Sequence, residues 1–262
     1  MVHIQNIGFH MDRLQFINFS TPIHERPDFD SEAISHGLFG ENVTLLEKNH
    51  NGFFYIENHR DNYKGYVHAM ALDHIRDPAT HYISVGATLV FAKADIKSPL
   101  PFRLPFGAEI AIKNQHNDIF SELTTGGYVI TKHLSPLNMP SVDDFVTIAE
   151  KYFLSVPYLW GGRSNEGIDC SGLVQQCAFG VNIMLPRDSG PQEKFLQNDV
   201  TARKDRQRGD IIFWSGHVGM MVDKVHIIHA NAHHMMCVIE PLAHVIERSE
   251  HPVSSIKRLL KD

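Results

Sequence analysis

The sequence predicts an α+β protein in which two small β barrels precede a domain of helices packed on an antiparallel sheet. Three observations lead there. Short alternating strands, separated by glycine, proline and asparagine turns, fill the stretch from about Leu38 to His133. A capped helical segment follows near Ser141, and another begins at Cys170 after a glycine-rich stretch. Beyond Arg208 the pattern returns to short apolar runs joined by tight turns.

The composition sets bounds. A chain of 262 residues, 43% hydrophobic and 21% charged, is ordinary globular material, long enough for one large domain or two to three small ones. Its net charge of -6 argues against nucleic acid or an anionic membrane as main partner. The start of the chain lacks a basic region followed by an apolar run and a small-residue cleavage site, and no stretch is long enough to span a bilayer. The three cysteines, Cys170, Cys177 and Cys237, form no C-x-x-C pair and suit a reducing compartment, so the expected location is cytoplasmic. Oligomeric state is not legible.

Taken in order, residues 1–30 contain Pro22 and Pro27 and read as an extended lead-in. Residues 31–76 form the first barrel, with strands at Val43 to Leu46, Phe53 to Ile56 and Tyr63 to His68, and a turn at Asn51-Gly52. Residues 77–137 form the second, where Pro99, Pro101 and Pro105 break any helix. Residues 138–262 are the third domain. Ser141 is expected to cap a helix from Val142 to about Phe153, with Asp143 and Asp144 in its first turn.

The stretch Tyr158–Val174 organises this last domain. Asp169 is a good N-cap, so Cys170 becomes the first helical residue, while Leu173, Val174, Cys177 and Ala178 supply a buried stripe and Gly180 a stop. A cysteine there meets unpaired N–H groups and the positive helix end, which favours the thiolate and offers donors to an oxyanion. The bland alternative is a buried structural cysteine. A thiolate nucleophile needs a base that also protonates the leaving amine, and His217, at the start of an expected strand, is the candidate.

The segments Y-L-W-G-G, D-C-S-G-L-V, L-P-R-D-S, R-G-D-I-I-F-W, G-H-V-G-M-M-V and I-I-H-A, in this order, resemble the NlpC-type bacterial cysteine peptidases that cut murein stem peptides. In the same way L-F-G-E-N-V-T-L-L and D-N-Y-K-G-Y-V resemble a bacterial SH3-like domain. The resemblance implies a papain-like peptidase domain behind two SH3-like barrels, working without a cofactor. It assigns Cys170 as nucleophile, His217 as base and His229 as the group that orients it. It also places Tyr158 near the scissile carbonyl and Asp169, Ser171 and Ser189 along the peptide site. For the amine of the substrate it suggests Glu41 and Tyr66 of the first barrel, with Asp169. The implied partners are murein stem peptides, L-Ala-γ-D-Glu-diamino acid, cleaved at the γ-D-glutamyl to diamino acid bond during peptide recycling. A non-hydrolytic murein-peptide binder and a related Cys-His amidase or acyl transferase are the alternatives.

Strand parity tests the histidine pair. A two-residue turn at Asp223-Lys224 would put His217 and His229 on opposite faces of the sheet. A three-residue loop, Asp223 to Val225, pairs Val222 with His226 and Gly219 with His229 and puts both rings on one face. The peptidase reading therefore requires an odd loop or a bulge. A zinc site from His226, His229, His233, His234 and Cys237 is a rival, but His226 and His229 on one strand point to opposite faces.

Overall fold

The computed structural model describes residues 13–48, 51–99, 102–141, 143–200 and 205–259. Seven strands make the first sheet: β1 (Arg13–Phe16), β2 (Ser20–His24), β3 (Ala33–Leu38), β4 (Asn42–Lys48), β5 (Phe53–Asn58), β6 (Lys64–His68) and β7 (Leu72–His74). Their spatial order is β3-β2-β6-β5-β4-β1-β7. Leu14, Phe16, Ile23, Val43, Ile56 and Val67 meet in its core. Residues 13–24 thus belong to the first barrel rather than to a lead-in, while residues 1–12 lie outside the described part. Leu14 and Phe16 alternate with Arg13 and Gln15, a period too short to stand out beside the prolines. Pro22 is tolerated because β2 meets β6 only at His24, so the strand around it has one neighbour.

The second barrel holds β8 (His81–Ile83), β9 (Ala87–Phe91), β10 (Phe102–Pro105), β11 (Glu109–Ile110), β12 (Ile112–Gln115), β13 (Phe120–Leu123), β14 (Tyr128–Ile130) and β15 (Leu134–Pro136). These pair as β10-β9-β14-β13-β12 and β11-β8-β15 around Ile83, Val90, Leu104 and Val129.

The third domain opens with α1 (Phe145–Tyr152), the short hairpin β16 (Arg163–Ser164) and β17 (Gly167–Ile168), then α2 (Cys170–Gly180) and α3 (Ser189–Phe195). A five-stranded antiparallel sheet follows. Its strands are β18 (Asp210–Trp214), β19 (His217–Met221), β20 (His226–Asn231), β21 (Met236–Pro241) and β22 (Ser255–Arg258), with α4 (Leu242–Arg248) between the last two, in the order β21-β20-β19-β18-β22. Helices α1 and α2 cover one face through Ile148, Leu173, Val174, Phe213 and Ile228.

One local expectation changes. The cap of α1 is Asp144, whose carboxylate accepts from the N–H groups of Val146 and Thr147 at 3.0 Å each; Ser141 instead accepts from Asp143 N–H, and Val142 lies outside the described residues. A carboxylate at the first turn also meets the positive helix end, which a hydroxyl three residues earlier cannot reach. Helix α2 ends on Gly180, as expected, and the left-handed turn falls on Asn182, at φ 63°. Gly180 serves close packing: a Cβ there would come within 2.6 Å of Ile148 Cδ1 and 2.9 Å of Phe106 Cζ.

The barrels are fastened to the third domain by buried contacts. Tyr82 and Phe106 of the second barrel pack edge-on against Phe179 and Phe153, at 5.2 and 5.9 Å between ring centres. Glu41 of the first barrel, fully buried, accepts from Arg163 at 2.9 and 3.0 Å and forms an ion pair with Arg60 at 2.8 Å. Arg60 in turn donates to Gly107 O and Glu109 of the second barrel, and its guanidinium lies 4.0 Å over the Phe179 ring.

Candidate active site

Cys170 is the first residue of α2, as its N-cap dictates. The Asp169 carboxylate accepts from Gly172 N–H at 2.7 Å and, with its other oxygen, from Gly161 N–H at 2.9 Å, tying the glycine-rich loop to the helix start. Glycine is required at Gly161, where φ is +75° and a Cβ would meet Ala33 O at 2.5 Å. The thiol is 6% exposed and accepts from the backbone N–H groups of Val218 and Ser171. Burial, and then the charge of Asp169, push its pKa up to about 12. This reverses the expected depression. The two N–H donors and the buried Arg187 favour the thiolate but do not offset the loss of solvent.

The hairpin from β19 to β20 has the odd loop. Met220 faces Ile228 and Met221 faces Ile227, while Val222 N–H bonds to His226 O, so the loop is Asp223 to Val225. Consequently His217 and His229 share a face, with Nε2 of the first 2.8 Å from Nδ1 of the second. Gly219 keeps the approach open, since a Cβ there would lie 2.9 Å from the His229 Cβ. His226 points outward and pairs with Asp223 at 2.9 Å, the opposite face that strand alternation demands. Burial first, then the neighbouring His229 and Arg248, lower the His217 pKa to about 3. Burial lowers His229 to about 4 against the pull of Glu240. Both rings are neutral at rest.

A cleft of about 270 Å³ opens over Cys170, lined by Glu32, Tyr63, Trp160, Asp169, Ser171 and Ser189 among others. Asp169, Ser171 and Ser189 thus stand where expected. Half-buried Tyr158 lies beside the thiol: burial, then the charges of Cys170 and Asp169, raise its pKa and keep the hydroxyl a donor. Asp169 and Ser171 are already engaged. Arg187, buried, donates to both Asp169 oxygens at 3.0 and 2.6 Å and to Ser171 Oγ at 2.9 Å, which neutralises the carboxylate as an amine receptor.

Two expected residues do not reach the cleft. Glu41 is buried in the clasp described above, where Asn58 and Leu38 N–H also donate to it. Burial alone would raise its pKa, but Arg163 and Arg60 hold it below the usual carboxylate range. Tyr66 pairs across strands with Tyr55, their rings 4.8 Å apart, and does not line the cleft. The first barrel supplies Glu32 and Tyr63 instead. Glu32 accepts from Trp160 Nε1 at 2.7 Å, and the Tyr63 hydroxyl bonds to Asp188. Nothing in the sequence around Glu32 marks it, whereas Tyr63 shares the D-N-Y-K-G-Y-V segment with Tyr66 and lies just before β6.

The NlpC/P60 family profile matches residues 155–249. Residues 155–249 are an NlpC/P60 domain. Residues 23–72 match the bacterial dipeptidyl-peptidase SH3 domain. The NlpC/P60 domain is that of a peptidoglycan endopeptidase family, so the chain carries a hydrolase domain. Dipeptidyl-peptidase 6 of Lysinibacillus sphaericus is 26% identical over 231 residues, spanning 80% of this chain and 84% of that protein. The γ-D-glutamyl-L-lysine dipeptidyl-peptidase of Bacillus cereus is 37% identical over 100 residues, which are 35% of this chain and 29% of its own. In fold, the chain resembles a crystal structure of a Bacillus cereus NlpC/P60 family protein with a TM-score of 0.79, at 18% identity over 95% of this chain and all of that one.

Proposed function

We propose that the protein is a cysteine peptidase that hydrolyses the γ-D-glutamyl to L-diamino acid bond of murein stem peptides with a free N-terminal L-Ala, in cytoplasmic peptide recycling. The observation that carries this reading is the juxtaposition of a helix-start thiol, a same-face histidine pair and a cleft walled by the first barrel. Similarity to the γ-D-glutamyl-L-lysine dipeptidyl-peptidases of Bacillus cereus and Bacillus subtilis supports the substrate class. Free thiols at Cys170, Cys177 and Cys237 are what a reducing compartment keeps.

In this reading Cys170 Sγ attacks the γ-carbonyl carbon as its proton passes to His217. The oxyanion is held by helix-start N–H groups and the Tyr158 hydroxyl. His217 then returns the proton to the departing amine of the diamino acid, leaving an acyl thioester on Cys170. A water, deprotonated by the same ring, cleaves the thioester and restores the thiol. Because the resting pair is neutral, the proton moves in the attacking step rather than beforehand.

The oxygens that the cleft gathers account for a free amine. Glu32 and Asp188 are carboxylates and Tyr63 an acceptor hydroxyl, so an ammonium finds three oxygen partners there. An acetyl or glycan substituent removes the charge and meets the wall. The test is product analysis by mass spectrometry on free and N-acetylated L-Ala-γ-D-Glu-diaminopimelate. The wild type should release L-Ala-γ-D-Glu from the free peptide only, Cys170→Ala should release none, and Glu32→Gln with Tyr63→Phe should narrow the preference. Equal turnover of the two peptides would overturn the end-wall assignment.

A further inference from the structure

Behind the histidine pair the polar chain continues. Strand β21 places Glu240 opposite Ile227, and its Oε1 lies 2.8 Å from His229 Nε2. Arg248, the last residue of α4, grips the same carboxylate with both terminal nitrogens, donating to Oε2 at 2.6 Å and to Oε1 through a second, shorter bond. His234 Nε2 stands 3.3 Å from Oε1 as well. The result is an unbroken line from His217 through His229 and Glu240 to Arg248.

We propose that Glu240, fixed by Arg248, is a positioning residue that sets the tautomers of His229 and His217 and so decides which nitrogen of His217 accepts the thiol proton. The proposal deepens the peptidase reading and rests on it only for the rate part of the test below. The logic is a count of protons. Glu240 has none to give, because the hydrogen bonds from Arg248 and His229 overcome its burial and hold its pKa down to about 2. The bond to His229 therefore needs the hydrogen on Nε2. A neutral ring with its proton on Nε2 has a lone pair on Nδ1, and that lone pair can only accept, so the facing Nε2 of His217 must be the donor. His217 then has its own lone pair on Nδ1, ready for the thiol proton. Each ring is read from the one behind it.

Asn231 shows what Glu240 holds back. Its Nδ2 lies 3.0 Å from His229 Nε2, and the amide is fixed in that direction because Oδ1 accepts from His234 N–H at 2.9 Å. An amide N–H facing Nε2 favours the opposite tautomer, with the hydrogen on Nδ1. The charged carboxylate is the stronger partner and wins. Remove it, and Asn231 becomes the deciding neighbour: His229 moves its proton to Nδ1, the facing Nε2 of His217 becomes the acceptor, and His217 carries its own hydrogen on Nδ1, where no lone pair is left for the thiol proton.

The test uses the full chain and two independent readouts. Nitrogen-15 spectra of the histidine rings, assigned with His217→Gln and His229→Gln, should show the hydrogen of both His217 and His229 on Nε2 in the wild type, with no substrate present. In Glu240→Leu the His229 hydrogen should move to Nδ1, and kcat on the free tripeptide should fall on the order of 10- to 100-fold with KM little changed. Glu240→Gln, which keeps an acceptor, should recover most of that loss, and Glu240→Leu with Asn231→Ala should recover part of it. A wild-type His229 carrying its hydrogen on Nδ1 would overturn the proposal even if Glu240→Leu failed to fold. Equal losses in Glu240→Leu and Glu240→Gln, with His229 unchanged on Nε2, would reduce Glu240 to a structural role. Absence of turnover in the wild type would count against the peptidase reading and leave the ring spectra to decide this one.

Discussion

At Cys170 two rules of sequence reading compete, and burial wins. A helix start favours the thiolate, yet a thiol 6% exposed beside the Asp169 carboxylate is held near pKa 12. The rate of inactivation by iodoacetamide should therefore keep rising with pH above 9.0, the ordinary thiol value, instead of levelling there. A plateau near neutral pH, measured as the inactivation rate constant against pH, would show a resting thiolate. The helix-start position of Cys170 and the strand-start position of His217 were legible because helix capping and strand starts are local patterns. The place of Glu41 was not, because burial against Arg163, a residue 122 positions away, has no local signature. Glu240 was silent for the same reason: its meaning lies in Arg248 and in a ring on the neighbouring strand.

The hairpin of β19 and β20 was legible as a choice between two registers, and the three-residue loop is the one found. Deleting Lys224 should force a two-residue turn, send His229 to the opposite face and abolish hydrolysis, whereas Lys224→Ala should keep the wild-type rate. Comparable loss in both variants would mean that the loop matters for something other than parity. The same hairpin carries an acid liability. Unfolded, the two rings take up protons near pH 6.5; folded, they stay neutral down to about 3 for His217 and about 4 for His229. Between pH 6.5 and 4 the unfolded chain thus binds more protons, and stability falls as pH falls. Glu240 extends the same trend from 4.5 to about 2, because its folded form stays ionised after its unfolded form has protonated. Melting temperatures across this range should drop with acid, and His229→Gln should flatten the part between pH 6.5 and 4. The α1 cap was misplaced in the sequence by a few residues, since Ser141 and Asp144 are both good caps.

Across the whole molecule the barrels and the NlpC/P60 domain share one buried ionic clasp. Glu41→Gln would leave Arg163 and Arg60 buried with a weaker partner and should cost about 3–5 kcal/mol, read by denaturant unfolding. Because the clasp touches all three domains, the loss should appear in a single unfolding transition; two separated transitions would mean that the domains melt independently. The clasp also imposes an order on the chain as the ribosome makes it. Glu41 and Arg60 emerge first and satisfy one another, and Glu109 follows to close the far side of Arg60. Arg163 comes last of the four, 122 residues after Glu41, on the first strand of the hairpin that precedes α2 and its cysteine. Cys170 is therefore synthesised after both barrels, and the clasp closes only when the newborn chain returns to its own beginning.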